Sequence, residues 1–187
     1  MAALYSLRDA NPSVKLGATL FLLVLGYSYV FAFFMVRDWA GLTASDVAAT
    51  YVPKAGIDES ALNAQSTSAT QILDFAAMES ERHTVDTRLL IQDSHIHLMI
   101  YAIVAALQTL IILGLEWPAW WCNSMITAAF GTGALDFAGQ WLMKAGIGGF
   151  AWLTIASGWG MAAVYLIVLT KTFMVVVPRA RTQETTT

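Results

Sequence analysis

Cysteine is nearly absent: Cys122 is the only one in 187 residues. An intrachain disulfide is therefore excluded, as are cysteine-based zinc and iron–sulfur sites and a CxxCH haem attachment. Charge is also scarce, at 12% of residues against about 25% in ordinary soluble domains. The ten Lys and Arg residues form no basic patch, so nothing here suggests a nucleic-acid partner. No glycine-rich phosphate loop follows a strand pattern, which removes the signature of nucleotide binding. The serines have no His and acid placed to activate them, which argues against hydrolase chemistry. The net charge of -3 favours no particular partner.

Apolar sequence is what the chain has in abundance. Hydrophobic residues make up 57%, and the mean hydropathy is +0.60. Four runs are long enough to cross a bilayer as helices, which takes roughly 20 residues. They cover residues 16–36, 96–115, 119–143 and 150–177. The first exceeds the h-region of a signal peptide and ends in Phe31-Ala32-Phe33-Phe34-Met35 with no small-residue cleavage site, so it reads as an uncleaved anchor. Short connections around Trp117-Pro118 and Gly146–Gly149 make the later neighbours antiparallel. The predicted fold is an all-α integral membrane protein, an antiparallel four-helix transmembrane bundle.

Basic residues set the orientation. Arg8 and Lys15 precede the first span, while Lys171, Arg179 and Arg181 flank the end of the fourth. Both termini are expected in the cytoplasm, with residues 37–95 as a helical segment on the outer side. That segment holds four basic and nine acidic residues, a balance compatible with translocation. Thr43-Ala44-Ser45-Asp46 reads as a capped helix start, running to about Tyr51 and stopped by Pro53. Residues 72–88 contain no Pro or Gly and suggest a helix running unbroken into the second span. Trp117, Trp120 and Trp121 read as an interfacial belt. The Thr-rich tail, 182–187, reads as disordered.

The most informative polar residues open the second span, at Ser94-His95-Ile96-His97-Leu98. Ionisable groups at membrane depth are functional-site hypotheses by default. On a helix, residues three and four apart share a face, so Asp93, His97 and Tyr101 form one stripe. His95 points nearly the opposite way, toward the outer segment, and the pair is no ready chelate. Asp93, one turn above His97, is placed to orient its ring. The third span carries a matching stripe of Met125, Ala129, Thr132, Asp136, Gln140 and Met143. Asp136 is the one acid well inside any span, and its depth matches that of His97.

Two chemistries fit these residues. A copper or iron ion would draw on His95, His97, Asp93 and Asp136, with His83 and Glu81 as further donors. Haem b would need His97 paired with a methionine, and Met143 lies at the better depth, because no His occurs on the other spans. The alternative is that His97 and Asp136 form a structural hydrogen bond fixing helix register.

Several short strings together resemble a family of uncharacterised four-span inner-membrane proteins of bacteria. They are Gly41-Leu42-Thr43, Ser94-His95-Ile96-His97-Leu98, Leu135-Asp136-Phe137 with Gln140-Trp141-Leu142, and Phe150-Ala151-Trp152 with Ser157-Gly158. The resemblance spans most of the chain. Ser94 departs from the family's Thr, and Gln140 from its Trp. It implies that His95, His97 and Asp136 recur as a set and that such proteins accompany membrane electron-transfer systems.

The leading functional expectation is an accessory subunit of a larger bacterial membrane complex, in respiratory or photosynthetic electron transfer. Its partners would be lipids and other integral membrane subunits. A small haem- or metal-binding redox protein centred on His97 stands second. A transporter using the Asp136–Gln140 stripe stands third, because the inner halves of the spans are mostly apolar.

Overall fold

The computed structural model describes residues 5–53 and 85–177, and every regular element among them is helical. The helix expected over 72–84 and the tail at 182–187 lie outside the described residues. Helix α1 (Pro12–Trp39) starts where the Asn11 side chain accepts a hydrogen bond from the Ser13 N–H at 2.9 Å. Pro12 opens the helix, where its missing N–H costs nothing. The chain leaves α1 through Gly41, whose φ of +77° favours glycine. Helix α2 (Ala44–Tyr51) begins at the predicted cap. Thr43 accepts from the Asp46 N–H at 3.2 Å and donates to Asp46 Oδ2 at 2.7 Å.

Three further helices follow: α3 (Thr87–Leu113), α4 (Ala119–Lys144) and α5 (Ala151–Val176). A 3-10 turn, Gly148–Phe150, leads into the last. Helix α3 begins nine residues before the apolar run expected at 96–115. Hydropathy marks the membrane-depth portion of a helix, whereas backbone hydrogen bonding continues through Gln92, Asp93 and Ser94. Asp93, Ser94 and His95 are therefore helical. The expected continuity with residues 72–88 fails at Val85 and Asp86, where the backbone is extended and Asp86 has ψ 146°. Tertiary bonds account for the break. The Val85 N–H donates to the Thr50 carbonyl at 2.8 Å, and Lys144 Nζ donates to the Val85 carbonyl at 2.7 Å.

Helix α4 is central, packing on α3 along one side and α5 along the other, while α1 packs on α5. Small residues permit these approaches. A Cβ on Gly26 would run into the Tyr165 hydroxyl, which donates to the Leu22 carbonyl at 2.9 Å. A Cβ on Gly133 would lie 3.3 Å from Tyr101, and one on Gly160 would lie 3.0 Å from Thr132. The larger core cluster gathers Leu22, Ala105, Ile112, Met125, Val164 and Val168. A smaller one, at the end covered by α2, joins Val47, Met143 and Ala151.

The residues before α1 close the opposite end. Leu7 is fully buried, and its N–H donates to the Gly114 carbonyl at 2.8 Å. Tyr5 donates to the Leu110 carbonyl at 2.8 Å, and Ser6 donates to the Glu116 carboxylate. By contrast α1 itself buries only Leu22.

Among the described residues, three helical stretches are long and apolar enough to cross a membrane: Pro12–Trp39, Thr87–Leu113 and Gly148–Val176. Helix α4 has the length but carries Asn123, Asp136, Gln140 and several glycines, which lower its hydropathy. The least apolar of the four long helices is thus the one enclosed on two sides.

Candidate functional site

Helix α1 stands off α4 at the α2 end, and the gap is a cavity of about 280 Å³. Its polar lining comes from Tyr29 on α1, Tyr51 on α2, Tyr101 on α3, Asp136 and Gln140 on α4, and Thr154 on α5. The remaining walls are largely apolar, with Phe33, Val36, Leu42 and Ile155 among them. Gly41 joins the wall where the chain turns from α1 into α2.

The floor is held rigidly. Gln140, buried, donates from Nε2 to Asp136 Oδ2 at 3.1 Å, one helical turn away. Thr154 donates to the Asp136 backbone carbonyl at 3.5 Å. Gly139 makes this possible, because a Cβ there would collide with the Thr154 hydroxyl and lie 3.2 Å from the Thr154 nitrogen. Tyr51 lies outside the long helices. Burial, then the carboxylates of Asp136 and Asp93, pushes its hydroxyl up to about 12, so it stays a neutral donor.

The sequence-predicted residues fall around this cavity rather than all inside it. Asp136 lines it, as does Gln140 from the same stripe. His97 is exposed and lies outside the lining, with its ring 6.4 Å from those of Tyr101 and Phe137. The expected orienting carboxylate does not hold that ring. Nδ1 of His97 lies 3.0 Å from the Asp93 backbone carbonyl instead, because a helical side chain leans back toward the preceding turn. His95 is exposed. Met143 is fully buried with Val47 and Ala151, a different packing group from that of His97. Among the described residues, no three of His, Cys, Asp and Glu come together as a metal-binding group.

Ser94 has a defined task. The Trp141 Nε1–H donates to its hydroxyl at 2.9 Å, tying α3 to α4. Sequence reading set Tyr101 on the His97 stripe but did not bring Tyr29 and Tyr51 to the same site. Tyr29 sits on the first span and Tyr51 on a short helix 50 residues before Tyr101, so no spacing rule joins them.

This geometry places the chain among membrane proteins. The chain belongs to the Aq_1264_TM family, a transmembrane helical domain. The match covers residues 41–183. It takes in α2 to α5 and leaves α1 outside, so every polar cavity residue except Tyr29 lies within the family's domain. No curated protein and no solved structure matches the chain.

Removing the interhelical bond should cost little but measurably. Ser94→Ala is expected to lower stability by about 0.6–1.5 kcal/mol, read as a shift of the thermal midpoint in detergent. Trp141→Phe should leave Ser94→Ala with almost no further effect. Full additivity in that double-mutant cycle would show that the two side chains do not interact.

Proposed function

We propose that the chain is an accessory subunit of a larger bacterial membrane complex, one that binds at the Asp136 cavity rather than catalyses. The observation carrying this reading is the cavity itself: a carboxylate, an amide and three phenols converge on it. No three-donor metal group accompanies them among the described residues. The exposed side of α1 offers Leu20, Val24, Phe31 and Met35 to lipid or to a neighbouring subunit. The respiratory or photosynthetic setting rests on the resemblance carried by Ser94–Leu98 and Leu135–Phe137.

In this reading α4 is a fourth span, and α1, α3, α4 and α5 cross the bacterial inner membrane as an antiparallel bundle. Both termini are cytoplasmic and residues 37–95 lie outside, as the basic residues favour. A cysteine-labelling experiment in a Cys122→Ser background checks this. Ile147→Cys should react with a membrane-impermeant maleimide in intact spheroplasts, and Asp9→Cys only after permeabilisation. The reverse pattern, or equal labelling of both, would rule out the topology.

A second reading keeps His97 as a haem or metal ligand. One observation favours it: Nδ1 faces a backbone carbonyl, the arrangement that leaves Nε2 free to ligate. Purification in mild detergent separates the two readings. The accessory role predicts a stoichiometric integral-membrane partner, and a lone monomer would overturn it. The His97 reading predicts a b-type haem absorbance or bound metal that His97→Ala abolishes, and a colourless, metal-free complex would overturn that one.

A further inference from the structure

We propose that the cavity beside Asp136 receives a neutral lipid whose head is a small ring bearing hydroxyls, a quinol. The inference rests on the reading of this cavity as a binding site and names the ligand class.

Unanswered hydrogen-bonding capacity is the first argument. Asp136 Oδ2 is engaged by Gln140, but among the described residues no hydrogen bond reaches Oδ1. The hydroxyls of Tyr29, Tyr51 and Tyr101 likewise have none, although Tyr5 and Tyr165 elsewhere in the protein each donate to a backbone carbonyl. Such half-buried groups, facing a cavity, are placed to bond a guest. Four of them line one cavity here, three able to donate and one able only to accept when ionised. A guest must therefore present acceptor oxygens to the phenols and a hydroxyl to the carboxylate.

Charge narrows the class. Among the described residues no Lys or Arg lines the cavity. A phosphate headgroup would face the Asp136 carboxylate without a counter-charge, which excludes anionic phospholipids as preferred guests. A sugar head would need many more polar partners than the apolar walls supply. A six-membered ring with oxygens at opposite edges meets both requirements, and tyrosine rings offer it faces and edges to pack on.

Size and access agree. The 280 Å³ volume admits a ring and the start of a tail, not a whole lipid. The tail would leave past Phe33 and Trp159, lining residues that are 44% and 66% exposed.

The test titrates the full-length protein in detergent micelles with a decyl-benzoquinol, and separately with decanol, following tryptophan fluorescence. Saturable quinol binding tighter than that of decanol is expected, weakened about tenfold by Asp136→Asn or Tyr101→Phe, the loss of about 1.4 kcal/mol. If Asp136→Asn fails to fold by circular dichroism, Tyr29→Phe and Tyr101→Phe carry the comparison. Decanol binding as tightly as the quinol, or quinol binding unmoved by the substitutions, overturns the ring-head assignment while leaving a lipid-binding cavity. Binding of neither probe overturns the binding site as well.

Discussion

Enclosure of α4 is the constraint on which the rest of the structure depends. A helix carrying Asp136, Gln140 and Asn123 is too polar to face lipid all round. Desolvating an unpaired amide or carboxylate costs several kcal/mol, so its polar side must find partners or a cavity. Helices α3 and α5 cover it on two sides, brought close by Gly133 and Gly139. The partners it gains are specific: Gln140 for its own Asp136, Thr154 for the main chain, and Ser94 for Trp141. What remains uncovered is the strip facing α1, and that strip is the cavity.

The two ends of the bundle are sealed by different means. At the α2 end, side chain and backbone combine, with Lys144 and Thr50 gripping Val85 from two elements. At the other end the residues before α1 bond to the carbonyls of Leu110 and Gly114. Those carbonyls belong to the last turn of α3, where helix ends leave acceptors without internal partners. Both seals use groups that helix geometry leaves over.

Much of the helical layout was legible because apolar runs and capping residues are local signals. Thr43–Asp46 starts a helix as its chemistry dictates. The start of α3 at Thr87 was not, because the tertiary bonds that hold Val85 leave no local signal. Site residues divided along the same line. Asp136 and Gln140 share a face by helical period and line the cavity together. Tyr29 and Tyr51 reach it only through tertiary packing, and the Asp93 carbonyl displaced its carboxylate beside His97 through side-chain direction alone. Sequence period describes one helix at a time, whereas the cavity is assembled from five.

The anchored residues before α1 make that helix a lever. Leu7 and Tyr5 are fastened at one end, and Tyr165 grips Leu22 near the middle. Beyond that grip the helix runs on toward Trp39 with no other buried residue to hold it. A 28-residue helix is roughly 40 Å long at 1.5 Å per residue. A few degrees of tilt about the fastened end therefore displaces Phe33 and Val36 by a few Å while scarcely moving Leu7. The width of the cavity at Phe33 and Val36 is thus set by the angle at which a single rod leans on α5.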